Sequence, residues 1–334
     1  ENLPPRFLSH VLAACNSEII NMAGDIAIDI GSNWKHQDIE HICAIVNDTA
    51  SLIEQCEELN ETMLDPNNNE HVKAGDELLK TLTELSLHAV RFVCERIMLD
   101  LREPDPLLTR IGTAMWEQGS DVPIIGCTVK TLDSYFRDIE LWIPQGYYFP
   151  KVVKHCLDMT LQAYVDSFFV NTMVKGIKDP LVVSRELQQD WQELNAFFCL
   201  KEDQADYLGH AGHYSKDEAS SHINIIQALS FLMTPSITPS KLQPEINKML
   251  HQFGTEAGIT ALLHIAGLRN RHISASEAAE WHEVAKEAVE ELVDKDAIKI
   301  KPVFSLPDLR ASKYIARVRA ANEELDDSLR SAGL

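Results

Sequence analysis

Basic side chains are scarce in this chain. Only 30 Lys and Arg stand against 51 Asp and Glu, a net charge of −21, which excludes a generic nucleic-acid binder because neutralising phosphates needs a cationic footprint. Glycine and proline are few as well, 14 of each in 334 residues, below average usage, so a turn-rich or low-complexity chain is excluded. Long apolar runs are missing. The longest stretch without a charge, Ala219 to Ser240, is broken by His222, Asn224, Gln227 and two prolines, so the sequence offers no span of about 20 predominantly apolar residues and no transmembrane helix is expected. The seven cysteines are odd in number and never spaced as CxxC. At apolar positions of helix-like segments they read as small buried hydrophobes, with neither a zinc framework nor a disulfide framework.

Chemical motifs are missing too. The sequence has no GxxxxGK[ST] or GxGxxG phosphate loop, no GxSxG elbow and no HExxH zinc helix, so neither nucleotide chemistry nor an activated serine is signalled and no enzyme, cofactor or metal is expected. His210-Ala-Gly-His213, with Asp203, Asp206 and Glu218 near in sequence, comes nearest to a zinc shell. Its Gly-containing loop, in a chain of 13 histidines, reads as solvated loop instead. His155 and Cys156 are adjacent, about 100° apart on a helix, so Cys156 is expected in the core. The chain opens at Glu1 without an initiator Met or a leader pattern, which reads as a piece of a longer protein.

What is present is helical periodicity. Ile39, Ile42, Val46, Thr49, Ile53, Cys56, Asn60 and Met63 form a heptad-like seam that stops at Asp65-Pro66-Asn67-Asn68-Asn69. Ile125, Val129, Leu132, Phe136, Ile139 and Ile143 make the cleanest stripe, ended by Pro144 and Gly146. Others run through Leu8, Val11, Cys15, Ile19 and Met22, through Leu78, Leu82, Leu85, Ala89 and Phe92, through Val153, Leu157, Thr160, Tyr164 and Phe168, and through Val183, Leu187, Trp191, Leu194 and Phe198. Two more comprise Trp281, Val284, Ala288 and Leu292, and Ile315, Val318, Leu325 and Leu329. Phe136 and Trp191 sit centrally in their stripes and are expected to anchor the core. Ser274 with Glu277 has the spacing of a capping box. Only Ile298 to Phe304 reads as extended, and Pro302 confines it to an edge or a loop. The chain is therefore expected to be all-α, with about ten helices. Its length fits two domains, with a break near Gly176 to Pro180 that gives helical bundles over 1–177 and 178–334.

The acidic excess is spread along helix faces such as Glu280, Glu283, Glu287, Glu290 and Glu291. One stretch reverses it: 295–319 carries Lys295, Lys299, Lys301, Arg310, Lys313, Arg317 and Arg319 against Asp296 and Asp308. From this, Lys299, Lys301, Arg310, Lys313, Arg317 and Arg319 are expected to contact an acidic partner protein or anionic lipid.

Several blocks are familiar in order and spacing. They are Ala44-Ile45-Val46-Asn47-Asp48, Leu99-Asp100-Leu101, Trp116, Gly119-Ser120, Thr131-Leu132-Asp133-Ser134-Tyr135-Phe136-Arg137-Asp138, Tyr148, Tyr164, and Ala261-Leu262-Leu263 with Gly267. Together they resemble the C-terminal half of the exocyst complex component 3 (Sec-six) family. The resemblance implies an elongated rod of stacked antiparallel helical bundles, a tethering-complex fold without enzymatic activity. It also implies a cytoplasmic subunit, peripheral at the plasma membrane at sites of exocytosis, that scaffolds vesicle tethering. Its implied partners are other exocyst subunits, SNARE proteins and Sec/Munc-type regulators. The alternative is a paralogous membrane-remodelling tether-like protein that binds anionic lipid directly.

Overall fold

A computed structural model describes residues 5–64, 67–101, 106–119, 123–143, 146–199, 216–269, 273–294 and 302–321. Among these residues the protein is all-α, with no strand. The helices are α1 (Pro5–Asn33), α2 (Ile39–Met63), α3 (Asn69–Asp100), α4 (Ala114–Glu117), α5 (Ile124–Trp142), α6 (Tyr148–Lys175), α7 (Pro180–Cys199), α8 (Lys216–Leu232), α9 (Gln243–Phe253), α10 (Thr255–Arg269) and α11 (Ala275–Asp294). Residues 313–321 add a twelfth, α12. The segment expected to be extended is irregular from Pro302 onward, and Ile298 to Lys301 lie outside the described residues.

The described residues fall into two units. The first takes α1, α2, α3 and residues 132–156; the second takes residues 101–131 and the described chain from Leu157 onward. The break expected between 177 and 178 therefore lies inside the second unit, because what reads as a linker is a closed corner. Gly176 ends α6 in the left-handed region at φ 71°, a conformation that favours glycine. The Tyr314 hydroxyl occupies the place a Cβ would take there. Glu117 Oε1 then accepts from the Lys178 and Asp179 amides at 2.6 and 2.5 Å, supplying negative charge at the start of α7.

In the first unit, α2 and α3 pair along the expected seams. Ile42, Val46, Thr49 and Cys56 meet Leu78, Leu82, Leu85, Ala89 and Phe92 in the interior, and Leu132, Phe136 and Ile139 of α5 are fully buried. Cys43, Cys94 and Cys156 are buried in the same unit. Burial, with Glu40 adding, pushes the Cys43 thiol up to about 12. Burial and then the neighbouring Cys156 raise Cys94, so these thiols sit in surroundings that disfavour thiolate.

Helix α1 departs from expectation. The face predicted to be buried carries Val11 at 44 % and Met22 at 62 % exposure, and Cys15 is exposed. The residues packed inward are instead Ser9, Asn16, Ala23 and Ile30. They recur every seven residues, so the seam drifts slightly around the helix in the sense of a left-handed supercoil. Apolar residues occur nearly all round α1, so spacing cannot select its inner face; specific pairing does. Ser9 Oγ lies 2.5 Å from His71 Nδ1, Asn16 Nδ2 donates to Asn60 Oδ1 at 3.2 Å, and Trp34 stacks on Phe92 at 5.6 Å. By length and composition alone, Phe7–His36 could cross a membrane, contrary to the sequence expectation; its contacts here are those of a bundle helix.

The second unit is built around α10, whose residues Ala261 to Arg269 are buried on every side, as a helix apolar all round must be. Gly267 lets α12 approach: a Cβ there would overlap the Tyr314 backbone carbonyl. Gly267→Ala is expected to destabilise by about 1–3 kcal/mol, because a backbone cannot yield as a side chain can. Gly24→Ala, in open space on α1, should instead be neutral or stabilising by up to about 1 kcal/mol. Thermal unfolding of both variants checks this, and equal effects would show that α12 does not sit against Gly267. On α7, Val183, Leu187, Leu194 and Phe198 are buried as expected. Trp191 is not a core anchor. It is half-buried, with Nε1 donating to Asn224 Oδ1 at 3.1 Å, while Asp190 takes the inward position.

Candidate functional site

Of the cations expected to meet a partner, Lys299 and Lys301 lie outside the described residues, whereas Arg310, Lys313, Arg317 and Arg319 are described and exposed. They are carried by an irregular strap, 302–312, and by α12. The strap has no ladder of its own, so its backbone groups are satisfied one by one. The Val303 and Phe304 amides donate to the Gln252 carbonyl at 2.9 and 3.2 Å. The Gln162 amide exchanges two 3.0 Å bonds with the Ser305 backbone. Phe304 is buried beside Phe253 and His222, and His222 Nδ1 lies 3.0 Å from Asp158.

On α12 a single stripe decides what faces out. Tyr314, Ile315, Val318 and Ala321 are buried, and Lys313, Arg317 and Arg319 are exposed. Ser312 Oγ accepts from the Tyr314 amide at 3.2 Å and meets His264 Nδ1 at 2.8 Å, fixing the start of the helix. Lys313 and Arg317 lie 5.1 and 5.0 Å from the centre of the Tyr314 ring, within cation–π range. Arg310 is different. It pairs with Glu256 at 3.4 Å and Asp308 at 3.9 Å, so its field is partly neutralised locally. Arg319 is felt by His282, which burial first and Arg319 second hold below its ordinary pKa. Such an arrangement can hold carboxylates or phosphates by charge.

The buried polar groups of this unit were not legible as a set in the sequence. Asp190 Oδ2 accepts from Tyr164 Oη at 2.7 Å and Trp116 Nε1 at 3.1 Å, joining α4, α6 and α7. The signal available was its spacing, since 183, 187, 190 and 194 alternate by four and three; an acid on that stripe marks a buried carboxylate. Arg269 donates to the carbonyls of Leu232, Pro235 and Ile237 at 3.2, 3.1 and 2.6 Å and lies over the Trp281 ring. No sequence pattern announces that role. Of the zinc candidates, His210, His213, Asp203 and Asp206 lie outside the described residues, Glu218 is in the first turn of α8, and no group of three metal-ligating side chains comes together among the described residues.

A family model described as exocyst complex component Sec6 matches residues 9–215, more than half of the chain. The chain belongs to the Sec6 exocyst-component family. Among curated proteins, exocyst complex component 3 of Drosophila melanogaster is 22 % identical over 158 residues, covering 47 % of this chain and 20 % of that protein. The match thus spans about a fifth of the relative's length. Among solved structures, the C-terminal domain of the exocyst subunit Sec6p shares the fold, with a TM-score of 0.62 over 88 % of this chain and 74 % of that one at 13 % identity. The Sec6 family match ends before the strap and α12, so it does not extend to these cations. The residues that carry the family resemblance turn out to be joints. Tyr135 donates to Asp100 within the first unit, Trp116 and Tyr164 converge on Asp190 in the second, and Gly267 seats Tyr314.

Proposed function

We propose that this Sec6-family chain is a non-enzymatic part of the exocyst vesicle-tethering complex. It acts in exocytosis by binding other exocyst subunits and, at the plasma membrane, SNARE proteins and Sec/Munc-type regulators. The observation that carries this reading is the family match over residues 9–215. The shared fold with an exocyst C-terminal domain agrees with it. Helical bundles present long exposed faces, which suits binding and positioning rather than bond chemistry. The outward cations of α12, Lys313, Arg317 and Arg319, are the proposed contact for an acidic partner surface, and anionic lipid is the second occupant to be tested.

Reversing those three cations to Glu should slow association with purified exocyst subunits by about tenfold, since charge steering acts mainly on the association rate. The effect should shrink as salt shortens the screening length below about 8 Å. Surface plasmon resonance across salt concentrations, with helicity and melting temperature as controls, measures it. Equal rates for wild type and variant at low salt would make the stretch a solvated connector. A slowed rate only on phosphatidylserine vesicles would favour the lipid-binding alternative.

A further inference from the structure

The outward face of α1 inverts the usual order of an amphipathic helix. Polar Ser9 and Asn16 are turned into the bundle at 1 % exposure each, while Phe7, Val11, Met22 and Ile26 stand out at 52, 44, 62 and 39 %. Single exposed apolar residues are ordinary, but a row of them along one face marks a surface meant to be covered. Positions 7, 11, 22 and 26 lie within about 100° of one another around the helix, at spacings of four and eleven, which is how the anchors of a helix-on-helix contact are arranged. The inner seam is complete without them, so the row is not needed to hold α1 on α3.

Charge says what covers it. Glu18, Asp25 and Asp29 are exposed on the same face, between and beyond the apolar anchors. A helix that lies on a membrane carries Lys and Arg at the margin of its apolar face, so this acidic face is repelled by anionic lipid. A second copy of α1 would set the same acids against each other, which disfavours self-association. The complementary occupant is a helix with its own apolar stripe and basic residues beside it. We propose that α1 docks an amphipathic, Lys- or Arg-flanked helix of another exocyst subunit, an inference that rests on the exocyst reading above.

The test uses the 334-residue chain immobilised against each exocyst subunit of the same organism, purified singly. Wild type should retain at least one subunit. Val11→Asp with Met22→Asp should weaken that binding by about a hundredfold, as removal of central apolar anchors does. Replacing Glu18, Asp25 and Asp29 with Lys should slow association by about tenfold and reduce its salt dependence. All of these positions are exposed, so helicity and melting temperature should stay unchanged and serve as the folding control. If the double variant binds as wild type does while reversal of the α12 cations removes binding, the docking face is elsewhere and the exocyst reading stands. If wild type retains no subunit, that reading fails together with the inference. Sedimentation of wild type as a dimer that the double variant abolishes, or flotation with phosphatidylcholine–phosphatidylserine vesicles lost in the double variant, would replace the proposed occupant by a second copy or by lipid.

Discussion

Phe136→Ala is expected to destabilise the first unit by about 3–5 kcal/mol, the cost of removing a large buried ring whose surroundings collapse only partly. The ring is fully buried in α5 and meets Phe149 edge to face at 6.3 Å, a geometry that adds to the area it removes from water. At roughly 2–4 °C per kcal/mol for a unit of this size, the melting temperature should fall by about 10 °C. Differential scanning calorimetry is the suitable measurement, since two units need not unfold together. An unchanged melting profile combined with lost subunit binding would mean that the ring faces outward in solution and that the α5 stripe is an interface.

Asp190 is expected to make the second unit less stable as pH rises towards neutrality. Burial lifts its carboxyl to about 7, even though the hydrogen bonds from Tyr164 and Trp116 work in the opposite direction; Glu193 and Glu186 add to the rise. In the unfolded chain the ordinary value is 3.8. Between the two values the folded state holds a proton that the unfolded state has released. The stabilisation is therefore full below about pH 4 and is lost as pH climbs through 7, at most about 4 kcal/mol in total. Asp190→Asn keeps an acceptor for both donors and cannot ionise, so its stability relative to wild type should increase from about pH 5 to about pH 8. Asp190→Ala should instead destabilise at every pH, because two buried donors lose their acceptor at about 1–3 kcal/mol each. His264, buried between Thr172 and Ser312, is held down to about 4 by burial. Its contribution grows as pH rises through the acid range, with the opposite sign, and it is common to wild type and variant, so it cancels in the comparison. A difference between wild type and Asp190→Asn that does not change with pH would show that the carboxyl is ionised in the fold throughout.

The sequence by itself determined the all-α class, because apolar residues at three- and four-residue spacing in α2, α3, α5, α6 and α7 leave one face that only packing can satisfy. It also marked Cys43, Cys56, Cys94 and Cys156 as core, although Cys15, read in the same way, is exposed and Cys127 and Cys199 are half-buried, and it marked the collinear blocks of the Sec6 family. The outward cations of α12 were legible too, since charge on an exposed helix face needs no partner to be placed. What only the tertiary structure decided were the choices that periodicity leaves degenerate. Apolar residues surround α1, so its inner face was selected by Ser9 meeting His71 and Asn16 meeting Asn60, partners 62 and 44 residues away. Asp190 and Trp191 are neighbours on one stripe, and which of them turns inward depended on Tyr164 and Trp116 being present to hydrogen-bond a carboxylate. Gly176 and Pro180 resembled a linker until Glu117 and Tyr314 closed the corner. Each of these outcomes depends on a polar or close-packed pair far apart in the chain. Local spacing carries no information about such pairs, because a hydrogen bond fixes an orientation only when both ends have been brought together by the fold.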